Sequence, residues 1–271
     1  MELTRRTALK TLVAGGVGLA TGTAAYGYSY ARHELVATRA SLPVRGLPPA
    51  LDGLRIALVT DLHRSETVSH EQVAAAAALA NSLHADLIVL GGDYITWADR
   101  RYIVPAAEAL SSLTAPHGVY AILGNHDDDR EMPAALARQG FVVLKDARTR
   151  ISIRGEALEL VGIRFWTRRS EEIAPVLKGA IGTTILLAHD PRRLTEAAGF
   201  DVPLVLSGHT HGGQIVLPLV GALAARKFPV LAGPARRGPT TLFVSRGGGT
   251  VYIPVRLNCP PEVALLTLRA A

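Results

Sequence analysis

Residues 119–127 have the sequence VYAILGNHD, an apolar run that ends in Gly124, Asn125, His126 and Asp127. Apolar runs of this length are typical of buried strands, and the glycine marks a turn directly after the strand. Four other apolar runs end in the same manner, in Asp61-Leu62-His63, Gly91-Gly92-Asp93, His189-Asp190 and Gly208-His209-Thr210-His211-Gly212. The sequence therefore predicts several strands whose ends bring polar side chains to one place.

The side chains at these strand ends are suited to binding metal ions. Carboxylate, imidazole and amide groups are ligands that Mn²⁺, Fe, Zn²⁺ or Co²⁺ accept. Five of the nine histidines lie in the five segments, and the donors suffice for two ions. Two neighbouring ions are the arrangement that enzymes use to hydrolyse phosphate esters. The residues alone therefore indicate a binuclear metallohydrolase.

Composition limits the class of protein and of partner. Hydrophobic residues make up 48% of the 271 residues, which is enough for a sizeable core and argues against disorder. The single cysteine excludes an intramolecular disulfide. A net charge of +6 suits an anionic substrate or an anionic membrane surface. No nucleic-acid partner is expected, because the basic residues are dispersed and form no stripe with aromatic residues.

The first 31 residues are predicted to be a targeting segment. Arg5 and Arg6 precede a Gly- and Ala-rich apolar stretch over residues 11–31, as in twin-arginine export signals. The stretch nearly reaches the ~20 residues that span a bilayer, so a retained anchor is the alternative. Either way we expect a periplasmic or otherwise extracytoplasmic protein, or one anchored to the cytoplasmic membrane. Residues 32–52 are predicted to be a linker or irregular arm, and residues 53–271 the enzyme domain.

The pattern of strands and helices predicts an α/β fold. Strands are expected at 54–60, 86–90, 119–123, 141–144, 149–154, 158–163, 184–188, 202–206, 241–245 and 251–255. Helices are expected at 70–84, 105–113, 133–139, 171–177 and 191–198. Strands alternate with helices first and dominate later, which favours two facing mixed sheets flanked by helices. We therefore predict a four-layer αββα sandwich with the metal site at the edge where the strands end.

The segment between Gly212 and Thr240 fits neither pattern. It contains four prolines, several apolar residues and the basic pairs Arg226-Lys227 and Arg236-Arg237. Long loops in compact domains are usually functional or disordered. Mixed apolar and basic side chains suit a lipid headgroup region, whereas packing of the loop on its own domain is the alternative.

In their order and separations, the five segments resemble the calcineurin-like metallophosphoesterase family over about residues 54–268. The GHTHGGQ run at 208–214 and the SRGGGT run at 245–250 resemble a bacterial subgroup within it. Members of that subgroup are exported or membrane-associated phosphodiesterases, or are similar to UDP-2,3-diacylglucosamine pyrophosphatase. The resemblance implies a phosphohydrolase with two divalent transition-metal ions, Mn, Fe, Zn or Co.

The resemblance also assigns roles residue by residue. The first ion would be bound by Asp61, His63 and His211, the second by Asn125, His189 and His209, and both by the bridging Asp93. A hydroxide between the ions would attack phosphorus. His126 would hydrogen-bond or protonate the phosphate and leaving group, and Asp127 would orient His126. The sequence departs from the family pattern at Thr96, where many members carry an aspartate.

Three functions remain open from the sequence. The first is phosphodiesterase-type hydrolysis of a phosphoester or pyrophosphate bond, in a substrate that a lipid group can carry. The second is a pyrophosphohydrolase acting on UDP-2,3-diacylglucosamine, which export would disfavour because such precursors lie on the cytoplasmic side. The third is a non-catalytic scaffold of the same fold. The presence of Asp93, Asn125 and His126 argues against the scaffold.

Overall fold

The computed structural model describes residues 5–225 and 227–271, and two mixed six-stranded sheets form its centre. The first sheet has the order β1-β14-β2-β3-β4-β5, in which β14 is antiparallel to β2 and the other pairs are parallel. Its strands are β1 (Val36–Val44), β2 (Arg55–Val59), β3 (Leu87–Leu90), β4 (Val119–Ala121), β5 (Val142–Val143) and β14 (Glu262–Ala270).

The second sheet has the order β12-β13-β9-β8-β7-β6, with parallel pairing from β13 to β7 and antiparallel outer strands. Its strands are β6 (Ala147–Ile153), β7 (Glu156–Ile163), β8 (Thr183–Ala188), β9 (Leu204–Ser207), β12 (Gly233–Arg237) and β13 (Thr240–Val244). A separate short hairpin consists of β10 (Val216–Leu217) and β11 (Gly221–Ala222).

In the part of the chain that the structure describes, six α-helices flank the sheets or precede them: α1 (Arg5–Ser29), α2 (His70–Ser82), α3 (Ile103–Ala109), α4 (Met132–Arg138), α5 (Ser170–Leu177) and α6 (Leu194–Gly199). The start of α2 is fixed by a reciprocal cap, in which Ser69 accepts from the Gln72 backbone and the Gln72 side chain accepts from the Ser69 backbone. The positions of α2 to α6 agree with the helices predicted from sequence, within a few residues.

Alternation along the strands creates three apolar layers. In β2, Ile56 and Leu58 face the second sheet, whereas Ala57 and Val59 face α2, α3 and α4. The second sheet divides likewise, with Val161 of β7 among the residues that pack toward α5 and α6. Successive strand residues point to opposite faces, so each sheet is buried on both sides. The predicted four-layer αββα sandwich is confirmed.

Two sequence predictions of local structure were wrong, and several strands were not predicted. Residues 32–52 contain β1 rather than only an irregular arm, because β1 is an edge strand in which Pro43 needs no ladder hydrogen bond. Residues 251–255 do not form a strand. The N–H groups of Ile253 and Val255 donate two residues back, and Tyr252 has a φ of 61°. Strands β12 and β14 lie in stretches with no predicted strand.

The amino-terminal helix α1 meets the domain near its end. The backbone N–H of Arg256 donates to the carbonyl of Gly27, and Arg32 donates to the carbonyl of Thr67. Among the residues described, none of the helices is both long enough and apolar enough to cross a membrane. Residues 1–4 and Arg226, which belong to the predicted targeting segment and to a basic pair, lie outside the described residues.

Candidate metal centre

The five polar segments meet where parallel strands end. Asp61 follows β2, Asp93 follows β3 and Asn125 follows β4 in the first sheet. His189 follows β8, and His209 and His211 follow β9 in the second sheet. Carboxyl ends of parallel strands lie at one edge of a sheet, and here the edges of two facing sheets coincide. The side chains that follow five strands therefore converge in one buried cluster.

Within this cluster the ligand atoms fall into two groups of three. Asp61, His63 and His211 form one group, and Asp93, His189 and His209 form the other. In each group the candidate ligand atoms lie within 4.8 Å of one another. Among the residues described, these are the groups of acidic, histidine or cysteine side chains that could hold an ion. They are the same sets that the sequence resemblance assigns to two ions, apart from Asn125.

Asp93 connects the two groups. Its Oδ2 atom lies 3.4 Å from Nε2 of His63 in the first group and 3.1 Å from Nε2 of His189 in the second. Its Oδ1 atom accepts the backbone N–H of His126 over 2.9 Å, which fixes the carboxylate. Nε2 of His63 and Nε2 of His211 are 3.0 Å apart, a separation suited to two ligands of one ion. Asp93 is thus placed to serve both groups at once.

Two buried polar atoms support the fit of this donor set to metal ions. Oδ1 of Asn125 and Nε2 of His189 are buried and make no hydrogen bond within the described protein. A buried polar atom without a partner is costly unless something else satisfies it. Nδ1 of His189 donates to the carbonyl of Gly91 over 2.7 Å, so Nε2 is the ring atom that faces the cluster and would bind an ion in place of its proton. Asn125 itself lies between two residues that contact Asp93.

The electrostatics of the cluster without ions also indicate a place for a cation. Although burial favours the neutral ring, Asp93 and Asp61 raise the pKa of His189 to about 10. Burial and the neighbouring charge of His189 lower the pKa of His209 to about 3. Burial, His63 and Arg256 hold the pKa of His211 well below its usual range. The carboxylates thus attract positive charge, while His209 and His211 stay neutral, as metal ligands must be.

The backbone around the cluster is unusual and depends on close approaches. Five of the expected ligand positions have φ between 51° and 73°, the left-handed region that residues other than glycine seldom adopt: Asp61, His63, Asp93, His209 and His211. Strained backbone of this kind concentrates at functional sites. A Cβ atom at Gly124 would overlap Oδ1 of Asp93, and one at Gly208 would overlap Oδ2 of Asp61. The glycines of these motifs therefore make room for the carboxylates.

Asp127 has a different set of contacts from the one expected. Its carboxylate accepts the backbone N–H groups of Asp93, Tyr94 and Gly124, each over 2.8 Å, and makes no hydrogen bond to His126. Burial and the negative charge of Asp93 raise the pKa of Asp127 to about 7. Asp127 therefore joins the loops after β3 and β4 and positions Asp93. The expected orientation of His126 by Asp127 does not occur in this structure.

Residues 96–98, which begin at the departure from the family pattern, supply the contacts that hold His63 and His126. Oγ1 of Thr96 lies 3.1 Å from Nδ1 of His63, so a hydroxyl holds that imidazole ring. The backbone N–H of Trp97 donates to Nδ1 of His126 over 3.1 Å, and that of Ala98 donates to the His126 carbonyl over 2.7 Å. Burial lowers the pKa of His126 to about 4. The ring is thus neutral and carries its proton on Nε2.

A buried arginine lies behind His211. The guanidinium of Arg256 donates to the carbonyls of Arg246, Gly247, Gly249 and Cys259, and its Nη2 atom lies 3.4 Å from Nδ1 of His211. Backbone carbonyls therefore satisfy this charge in a fully buried position. Arg256 fixes the loop over residues 246–259 against the cluster. The sequence offered no sign of this role, because nothing near Arg256 marks it as buried.

Aromatic side chains surround the cluster. None of them was predicted from the sequence to belong to the site. The rings of Phe165 and Phe228 both lie with centroids 5.1 Å from that of His209. The exposed rings of Trp97 and Tyr252 lie 4.6 and 6.2 Å from His126. Such contacts join distant segments of the chain and leave no spacing signal in the sequence.

Comparison with known proteins agrees with this geometry. The family model of the calcineurin-like phosphoesterases matches residues 54–213. The chain is similar to an uncharacterized metallophosphoesterase, YkuE, of Bacillus subtilis (strain 168), with 29% identity over 286 residues and 99% of each chain covered. It is also similar to the phosphodiesterase YaeI of Escherichia coli (strain K12), with 33% identity over 226 residues, covering 79% of this chain and 82% of the relative.

A third relative has a longer chain. The transmembrane protein with metallophosphoesterase domain of Bos taurus is 31% identical over 294 residues, which cover 100% of this chain and 65% of the relative. The family match spans more than half of the present chain, and it includes all the expected ligands. The protein therefore belongs to the calcineurin-like phosphoesterase family and is a hydrolase of the metallophosphoesterase type.

Proposed function

We propose that the protein is a binuclear, metal-dependent phosphodiesterase. The observation that carries this proposal is the position of Asp93, whose Oδ2 atom lies within 3.4 Å of a histidine from each ligand group. Two ions held by these groups would lower the pKa of a bound water molecule and act as Lewis acids on the phosphoryl oxygens. The similarity to the metallophosphoesterase YkuE and to the phosphodiesterase YaeI supports hydrolysis of a phosphoester.

The remaining catalytic contribution comes from His126. Its Nδ1 atom accepts from the backbone of Trp97, so its Nε2–H group is free to donate a hydrogen bond toward the cluster. A neutral imidazole in this state is a poor acid and a good hydrogen-bond donor. We infer that His126 stabilises the negative charge that develops on the phosphate by hydrogen bonding, which is the first of the two roles that the resemblance left open.

The direct test uses metal-free protein. Purified full-length protein should hydrolyse bis-p-nitrophenyl phosphate, lose the activity after dialysis against a chelator, and regain it when Mn²⁺ or Zn²⁺ is added. Activity that survives complete removal of metal would contradict the proposal. The identity of the ion in the cell depends on availability, since imidazole and carboxylate ligands accept Mn, Fe, Zn or Co.

The two alternative functions, a pyrophosphohydrolase and a non-catalytic scaffold, differ from a phosphodiesterase in the products that an assay would detect. Hydrolysis of the nucleotide-linked pyrophosphate UDP-2,3-diacylglucosamine would release UMP, which a chromatographic assay separates from the products of a diester. A faster reaction with that substrate than with diesters would replace the phosphodiesterase proposal. A non-catalytic scaffold would show no metal-dependent reaction with either, although the full set of expected donors in the cluster argues against it.

We also propose that the protein works at a membrane surface outside the cytoplasm. Arg5 and Arg6 at the start of α1 support export, and exposed apolar side chains on α1 and on the β10–β11 hairpin support contact with lipid. Leu219 and Val220 at the tip of that hairpin are exposed. Replacing both with Ser should weaken sedimentation with vesicles of phosphatidylglycerol and phosphatidylcholine. Unchanged sedimentation would contradict the contribution of the hairpin.

A further inference from the structure

A cavity opens directly beside the metal centre. Its volume is about 410 Å³, and His209 and His211 form part of its wall. The rest of the wall includes Ile215, Leu223, Phe228 and Ile253, so that apolar side chains dominate. Ligand pockets in proteins typically measure ~300–1,000 Å³ and have mostly apolar walls with a few polar groups. The cavity therefore has the size and the chemistry of a binding subsite for an apolar group.

The segment after the last metal motif builds this cavity. Gly213 and Gln214 come two and three residues after His211. The hairpin of β10 and β11 then returns the chain, so that Leu223 donates its N–H to the carbonyl of Ile215. Phe228 closes the wall, buried under the guanidinium of Arg192 with its ring against His209. The expected metal ligands His209 and His211 and the apolar side chains thus line one and the same cavity.

A second, smaller cavity lies on the other side of one turn. It measures about 150 Å³ and is lined by Thr96, Trp97 and Tyr252, among others. Residues 251–253 line both cavities, so this turn separates them. Trp97 and Tyr252 have φ of 56° and 61°, and a bulky residue in that conformation is a genuine outlier. The two residues are 65% and 74% exposed, and their rings, which line the smaller cavity, lie 5.3 Å apart.

Two cavities of different character at one phosphate site suit a phosphate that carries two different substituents. We propose that the substrate is an asymmetric phosphodiester with an alkyl or acyl substituent, which occupies the larger cavity beside His209 and His211. The second substituent lies against the rings of Trp97 and Tyr252. This inference rests on the proposed phosphodiesterase function and specifies the substrate class of the same site.

The test compares mixed diesters that share one leaving group. Methyl, butyl and octyl p-nitrophenyl phosphates are assayed below their micelle concentrations. Burial of one methylene is worth about fourfold in affinity. We expect the wild-type kcat/KM for the octyl ester to exceed that for the methyl ester by more than tenfold. Leu223→Ser should reduce this ratio at least threefold, because Leu223 is half-exposed and borders the cavity without supporting the core.

Ile181→Ser is the matched control, since Ile181 is an apolar side chain as exposed as Leu223 and does not line the cavity. It should keep the wild-type ratio. A ratio near one in wild-type protein, or equal loss in the two variants, would overturn the inference while leaving metal-dependent hydrolysis intact. Failure to hydrolyse even the methyl ester with metal present would instead count against the phosphodiesterase function.

A binding measurement keeps the inference testable without turnover. Octylphosphonate and methylphosphonate are titrated into the metal-loaded protein in a calorimeter. Octylphosphonate should bind more than tenfold more tightly than methylphosphonate. Leu223→Ser should narrow this difference in affinity, whereas Ile181→Ser should not. Equal affinities for the two phosphonates would overturn the proposed apolar subsite, whatever the activity of the protein.

Discussion

The backbone N–H of Trp97 donates a hydrogen bond to Nδ1 of His126 over 3.1 Å. This contact decides the tautomer of the imidazole, because a nitrogen that accepts from an amide cannot also carry a proton. The proton of the neutral ring is therefore on Nε2, as in oxyanion holes that use neutral donors. A main-chain group fixes the tautomer, and the substitution of a side chain at position 97 leaves that group in place.

Removal of His126 should slow the reaction without removing the ions. We expect His126→Ala to keep about two ions per chain and to lose about 10²–10³-fold in kcat, the usual cost of one hydrogen-bond donor to a developing oxyanion. The loss should be similar for an aryl and an alkyl leaving group. A much larger loss for the alkyl ester would show instead that His126 donates a proton to the leaving group.

Removal of Asp93 should disturb both ion sites. Asp93→Ala deletes the carboxylate that lies 3.4 Å from His63 and 3.1 Å from His189, so metal content should fall to about one ion or fewer per chain, together with activity. Inductively coupled plasma mass spectrometry measures the metal content. Asp201→Ala, at an exposed carboxylate that pairs with Arg45, is the control and should keep both ions. Full metal content in the Asp93 variant would refute the bridging role.

Gly124 should not tolerate even one added carbon. The Cβ of an alanine there would overlap Oδ1 of Asp93, and the backbone of Asp93 leaves no room for the atom to move aside. We expect Gly124→Ala to lower metal affinity and activity more than tenfold, comparable with the loss of a group that supports a ligand. Gly199→Ala, where nothing lies within 4 Å of the new carbon, should change stability by less than about 1 kcal/mol and leave activity intact.

Export by the twin-arginine route should require the arginine pair at the start of α1. Changing Arg5 and Arg6 to Lys keeps the charge but should retain a fused reporter in the cytoplasm. The same change at Arg236 and Arg237, a second arginine pair in β12, should not affect export. If the reporter leaves the cytoplasm equally in both variants, ordinary secretion or a simple anchor is indicated.

The sequence was sufficient to predict which strands the ligands follow, but not how the strands at the edge of the first sheet pair. Each expected ligand follows a buried apolar strand, and that signal is local, so the convergence of the ligands could be predicted from the sequence, whereas their division into two groups came from the family resemblance. By contrast, β1 pairs in parallel with β14 across more than 220 residues, from Val36 with Glu262 to Val44 with Ala270. Pairing over such a separation depends on the whole fold, and local patterns do not carry it.

The surroundings of the ligands were harder to predict for a similar reason. Thr96 was recognised as a departure from the family pattern, but its contact with His63 joins two loops that are 33 residues apart in the sequence. The burial of Arg256 depends on four backbone carbonyls from residues 246–259 and on the contact with His211. The family resemblance assigned Asp127 to the orientation of His126, whereas the backbone N–H groups of Asp93, Tyr94 and Gly124 donate to its carboxylate.

The most direct measurement is the anomalous X-ray scattering of crystals grown with Mn²⁺. We expect two anomalous peaks in each chain. One should lie among Asp61, His63, His211 and Asp93, and the other among Asn125, His189, His209 and Asp93. A single peak in catalytically active crystals, or peaks that Asp93 does not contact, would contradict the binuclear centre.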